Sequence, residues 1–300
     1  MKKALALILT ASLLTGVLTA CGSSEAQTDA AETTTEEAAT EETAAADTDA
    51  QAETGDLQVI TVAATAVPHA EILEAAKPIL AEQGYDLQVT VFDDYVQPNE
   101  VVEAGDIDCN YFQHIPYLNS YNEERGTHLV SVGEIHYEPI GIYAGTESDL
   151  SNIPDGADIA IPNDTTNEAR ALLILQDNGI ITLKEGAGID ATINDIAENP
   201  HNINFVEMEA AQVSKVLSEV AFAVINGNYA LDAGLNAQTD ALASETSDSL
   251  AAQTYVNVVV VKEGNEDNEG VKALVNVLKS DDIKKFIEET YEGAVVPFEG

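Results

Sequence analysis

The 300-residue chain has no tryptophan, two methionines, two cysteines, and twelve lysines and arginines set against 53 acidic residues. Each shortage excludes something. A formal net charge of −41 is repelled by nucleic-acid phosphates and by anionic membrane surfaces, so neither is a partner for the body of the chain. Two cysteines, Cys21 and Cys109, cannot build a disulfide framework. The histidines His69, His114, His128, His136 and His201 show no HExxH pattern and no paired short spacing, so no metal centre is indicated. There is no G-x-S-x-G and no glycine-rich phosphate loop, and no base is placed for Cys109. The expectation is a non-enzyme without a cofactor. No internal repeat is present, and no second long apolar run follows the first.

What is there begins with a processing signal. Lys2 and Lys3 precede an apolar run from Ala4 to Leu18, too short for a comfortable membrane span. Leu18-Thr19-Ala20-Cys21 resembles the bacterial lipobox, which implies removal of residues 1–20 and lipid on the sulfur of Cys21. Loss of Lys2 and Lys3 takes the net charge from −41 to −43. With Cys21 acylated, Cys109 has no intrachain partner. Residues 22–56 contain Ala, Thr, Glu, Asp, Gln, Ser and Gly alone. Such a segment cannot bury enough apolar surface to fold, so 21–56 is expected to be a disordered acidic tether behind the lipidated cysteine.

Residues 57–300 can hold a substantial core. Alternation predicts strands at Leu57–Ala63, Asp86–Phe92, Asp106–Asn110, Leu129–Val132, Pro139–Tyr143, Asp158–Ile161, Ile203–Glu207, Ala221–Ile225 and Tyr255–Val261. Helices are expected at His69–Gln83 with a kink or break at Pro78, from Pro98 to Ala104, and at Gln113–Arg125. Further helices are expected at Gly188–Ala197, at Ala210–Glu219, and at about 267–279 and 281–291. The order is an α/β alternation with short connections, hence helices flanking a largely parallel sheet. Two such groups suggest two lobes. Lobe 1 runs over 57–147 and lobe 2 over 148–240, and 241–300 forms a connection and a return to lobe 1.

The most informative stretch is Asp158–Gly179. A strand ends at Pro162. Asn163, Asp164 and Thr165 are good helix caps, and Glu168 falls three residues after Thr165 as in a capping box. Unpaired N–H groups at such a start favour an anion. Arg170, one of two arginines in the chain, lies one turn beyond Asn167. An isolated arginine beside an amide and a helix start reads as a carboxylate clamp, since its planar fork can bind a carboxylate bidentately. Unusual residues also cluster at two other strand ends, Asn110–His114 and Asn226–Tyr229. Ligands in open α/β sheets sit beyond the C-terminal ends of strands, so a cleft between the lobes is expected. By pattern alone Phe112 and Tyr117 read as core, His114 as a satisfied histidine and Asn226 as a turn residue.

The segments 92–121, 161–186, 223–230 and 255–261 are similar to the NlpA-type methionine-binding lipoproteins, the substrate-binding components of bacterial methionine ABC importers. The resemblance runs over essentially all of 57–300. It implies a two-lobed type II periplasmic-binding-protein-like fold with a buried small-molecule ligand, methionine or a close analogue or methionine-containing dipeptide. It also implies an ABC permease and its ATPase as partners, and a lipid-anchored place on the extracytoplasmic face of the cell membrane. Carried over residue by residue, it assigns Phe112, His114 and Tyr117 to the wall around the thioether. Asn167, Arg170 and Asn226 become the groups that hold the amino-acid backbone. His136-Tyr137-Glu138-Pro139 matches some members only, and the roles of Glu138 and Tyr111 stay open. His69 either lines the cleft or caps the first helix. The alternative is a surface lipoprotein used for adhesion or signalling on the same fold.

Overall fold

The computed structural model describes residues 57–246 and 253–299. The leader, Cys21 and the tether lie outside them. Among the described residues no helix is long and apolar enough to cross a membrane.

Two sheets organise the chain. The first is six-stranded, in the order β13-β4-β12-β3-β1-β2. Its strands are β1 (Gln58–Ala64), β2 (Tyr85–Val91), β3 (Cys109–His114), β4 (Leu129–Tyr137), β12 (Val256–Lys262) and β13 (Val296–Pro297). β1 runs parallel to β2 and β3, whereas β12 is antiparallel to β3 and β4. β12 is central, as its apolar run Val258–Val261 demands: Val256 to Val261, Asn257 included, are buried. The second sheet has the order β11-β5-β10-β6-β9. It comprises β5 (Gly141–Ala144), β6 (Asp158–Pro162), β9 (Asn204–Met208), β10 (Phe222–Ile225) and β11 (Ala241–Ser244). A small pair, β7 (Thr182–Leu183) and β8 (Ile196–Glu198), lies beside it.

Helices cover both sheets. One face of the first sheet packs on α1 (Glu71–Glu82), α7 (Glu269–Leu278) and α8 (Asp281–Tyr291), where Ile72, Leu73, Leu80, Leu274 and Ile287 are fully or almost fully buried. The other face packs on α2 (Gln97–Ala104) and α3 (Ile115–Arg125) through Val102, Phe112, Leu118 and Val258. In the second lobe α4 (Thr165–Asp177) lays Ala169, Leu172 and Leu175 against Ile159 and Ile161. The opposite face carries α5 (Ala210–Val213) and α6 (Gly227–Asp232).

The structure moves several expected boundaries. β5 and β11 are both hydrogen-bonded into the second sheet, so the chain crosses between lobes near Glu138–Ile140 and again after Ser244, not at 148 and 240. The two crossings are tied together: the N–H of Glu245 donates to the carbonyl of Ile140 at 3.1 Å. β3 extends to His114, and α3 starts two residues later than expected, because His114 caps it and Pro116 occupies its first turn. β4 continues to Tyr137. α1 passes through Pro78 without ending.

The expected helix Gly188–Ala197 is instead a single turn, Ile193–Asp195, in which Thr192 and Asp195 satisfy one another before Ile196 pairs with Leu183. The expected helix Ala210–Glu219 narrows to a tighter turn after Val213. The Val220 carbonyl accepts from the Thr146 N–H at 2.8 Å, so the segment's end is bound to the end of β5.

Candidate ligand-binding site

The C-terminal ends of β3, β6 and β10 meet between the lobes and line a shared cavity. Contacts across it join the lobes. His114 Nε2 lies 3.1 Å from Asn167 Oδ1, and the Tyr95 hydroxyl donates to Asn228 Oδ1 at 2.5 Å. The Tyr229 hydroxyl donates to the Asp93 carbonyl at 3.1 Å. All six expected ligand residues, Phe112, His114, Tyr117, Asn167, Arg170 and Asn226, line this one cavity, together with Tyr95, Glu138, Gly227 and Asn257.

The aromatic end comes from lobe 1. Phe112 leaves β3 and packs edge-on to Tyr117, with ring centroids 6.1 Å apart. Tyr95 closes the group at 5.9 Å from Phe112 and 5.7 Å from Tyr117. The Tyr117 hydroxyl donates to the Tyr95 carbonyl at 3.0 Å, which fixes both rings. His114 is oriented by its own helix. Its Nδ1 accepts from the Tyr117 N–H at 3.1 Å, so the proton sits on Nε2 and is donated to Asn167. Burial holds its pKa down at about 3, so this imidazole is neutral at physiological pH.

The polar end comes from lobe 2. The cap of α4 is Asp164 rather than Thr165. Its carboxylate accepts the Asn167 N–H at 3.2 Å and the Asn167 side-chain amide at 2.7 Å. Glu168 is not part of a capping box and instead accepts the Ile193 N–H at 2.8 Å. Asn167 thus presents Oδ1 to His114 and, at 2.7 Å, to the Asn226 amide. Asn226 Oδ1 is then left buried with no hydrogen-bond partner. A buried unsatisfied acceptor in a cavity wall is unfavourable unless a ligand donor meets it.

Arg170 is 3% exposed, and its guanidinium is not free as its isolation in the sequence suggested. Nε donates to Glu245 at 3.0 and 3.2 Å to its two oxygens, and Nη2 to the same carboxylate and to the Glu138 carbonyl at 2.7 Å. Tyr255 stacks over it at 4.3 Å from the ring centroid. Glu245 also accepts the Tyr137 hydroxyl at 2.5 Å and the Ile140 N–H at 3.1 Å, which places it at the crossing between lobes. No sequence pattern singled it out, since its partners are 75 to 108 positions away.

Beside the polar end lies a buried group that sequence spacing could not reveal. His136 Nε2 is 2.7 Å from Glu138 Oε1, and His69 Nε2 is 3.3 Å from the same oxygen and 3.1 Å from Asn257 Oδ1. His69 Nδ1 meets the Thr65 hydroxyl at 2.8 Å, and His136 Nδ1 meets the Tyr111 hydroxyl. His69 is therefore buried among the cleft's supporting groups rather than exposed as a helix cap. Burial lowers its pKa to about 4 and that of His136 to about 3, and raises that of Glu138. The donors of His69, His136 and Glu138 fall within 4.8 Å of one another, a spacing that suits a cation, yet every ring nitrogen already has a hydrogen-bond partner. Gly227 is required here. A Cβ would lie 2.8 Å from Glu138 Cβ and 3.2 Å from its Oε2.

Comparison with known proteins agrees with this architecture. A putative lipoprotein from Ruminococcus gnavus, solved by crystallography, is 67% identical with a TM-score of 0.80, covering 81% of this chain and all of that one. The methionine-binding lipoprotein MetQ of Bacillus subtilis is 41% identical over 289 residues, 95% of each chain. A nutrient-binding protein from Burkholderia cenocepacia, whose structure holds methionine, is 42% identical with a TM-score of 0.75 over 79% of this chain and 99% of that one. The family described as NlpA lipoprotein matches residues 60–299, and the chain belongs to that family.

Proposed function

We propose that this protein is the methionine-capturing component of an ABC importer. A lipid on Cys21 holds it at the extracytoplasmic face, and it hands its ligand to a permease driven by an ATPase. The observation that carries the reading is the cavity's division into two ends. Tyr95, Phe112 and Tyr117 offer an apolar aromatic wall suited to a thioether, and sulfur–aromatic contacts contribute ~0.3–1.5 kcal/mol each. Asn167, Arg170 and Asn226 gather donors and one orphan acceptor at the opposite end, suited to an amino-acid backbone. Arg170 Nη1 and the Asn167 side reach the carboxylate. Glu138 and Asn226 Oδ1 receive the ammonium.

Binding drives lobe closure only through contacts made to both lobes, which this division supplies. The experiment is titration calorimetry of the full chain with the common amino acids. Methionine should bind most tightly, and a folded protein that shows no heat with methionine overturns the reading.

A further inference from the structure

Arg170 and Glu245 neutralise one another inside the wall of the cleft. Glu138 has no such partner. Its carboxylate is 5% exposed and receives neutral N–H donors: His136 Nε2 at 2.7 Å, His69 Nε2 at 3.3 Å, and the backbone N–H of Asn228. The histidines must be donors. His69 Nε2 faces two oxygens, those of Glu138 and Asn257, so the proton resides there and Nδ1 accepts from the Thr65 hydroxyl. His136 Nε2 faces the carboxylate, and the Tyr111 hydroxyl supplies the proton that its Nδ1 accepts. Two neutral imidazoles, each anchored from behind by a hydroxyl, therefore hold one buried carboxylate by Oε1 without cancelling its charge. A buried anion that is hydrogen-bonded but unpaired calls for a cation.

We propose that His69 and His136 are positioning residues that keep Glu138 oriented as the receptor for a free α-ammonium. The cleft thereby selects ligands whose methionine has an unblocked amino group. This rests on the amino-acid-binding reading above. The other groups facing Glu138 are Arg170 from α4, Tyr111 from β3, Tyr95 from the loop before α2 and Tyr291 from α8, and none of them supplies a free positive charge.

The test compares L-methionine with 4-(methylsulfanyl)butanoate, which is the same molecule without its amino group, by calorimetry on the full-length protein and on His136→Leu and His69→Leu, whose side chains carry no donor. Loss of a hydrogen bond to a charged group should weaken methionine about tenfold or more in each variant, while affinity for the desamino ligand changes less than about twofold. The pH at which methionine affinity falls on acidification should move upward in both variants, because Glu138 has lost a donor that favours its charged form. Equal weakening of both ligands, or an unmoved pH profile, overturns the proposal and makes the histidines merely structural. Should His136→Leu fail to fold, His69→Leu and Glu138→Gln carry the same comparison. Failure of the wild type to bind methionine at all would instead overturn the functional reading.

Discussion

At the scale of single residues, the two ends of the cavity make different demands. On the proposed reading, Phe112 would touch only what a long side chain reaches, whereas the groups around Arg170 would meet what every amino acid presents. Phe112→Ala should therefore lower methionine affinity by ~1–3 kcal/mol and leave alanine or serine nearly unaffected, which parallel calorimetric titrations would read. An equal loss for methionine and alanine would remove the division of labour. Arg170→Lys keeps the charge but not the fork. Here the fork also holds Glu245 and the Glu138 carbonyl, so the substitution should weaken all amino acids alike, by about tenfold or more, and lower thermal stability too. Glu245→Gln separates the effects. It should reduce stability, seen as a lower urea midpoint, because a buried guanidinium loses its counter-charge.

At the scale of elements, the strands were largely legible because period-two alternation and the run Tyr255–Val261 report burial directly. α4 was legible through its caps, although the cap is Asp164 and not Thr165. The failures share a cause. Ala210–Glu219 has helical composition, and Gly188–Ala197 has apolar residues at helical spacing, but their polar groups are taken by side chains and by the end of β5. The lobe boundary was misplaced because β5 and β11 are strands of four residues whose partners lie far along the chain. Of the site, the six residues named through family resemblance converge on one cavity. The pairing of Arg170 with Glu245, and of Glu138 with His69 and His136, joins residues too distant for any spacing argument. α6 offers a test of how tightly these elements fit. Gly227→Ala should destabilise the fold by ~1–3 kcal/mol and weaken methionine binding, because the added Cβ meets Glu138. Unchanged calorimetric affinity would show that α6 can retreat without disturbing the carboxylate.

At the scale of the whole molecule, the buried histidines make stability depend on pH in a direction that can be worked out. His69 has its pKa lowered to about 4, and His114 and His136 to about 3, chiefly by burial. In the unfolded chain each titrates near ~6.5. As pH falls below that value the unfolded state takes up protons that the folded state refuses, so stability present above ~6.5 is lost on the way down to the folded values. Three carboxylates run the other way, Glu168 among them because burial raises its pKa as well. Burial raises Asp164 to about 6 and raises Glu138, so each favours the folded state when protonated and withdraws that support as pH rises through its folded value. Acidification also relieves repulsion in a chain of net charge −41, so the raw pH curve mixes opposing contributions. The difference between wild type and His136→Gln removes those that do not touch His136, Asp164 and the net-charge repulsion among them. That difference should be largest at pH 8 and shrink between pH 6.5 and 4, with a slope of up to about 1.4 kcal/mol per pH unit, as urea denaturation at several pH values would record. A difference that stays constant across this range would mean that His136 is free to take a proton in the folded protein, which its burial and its hydrogen bond to Glu138 argue against.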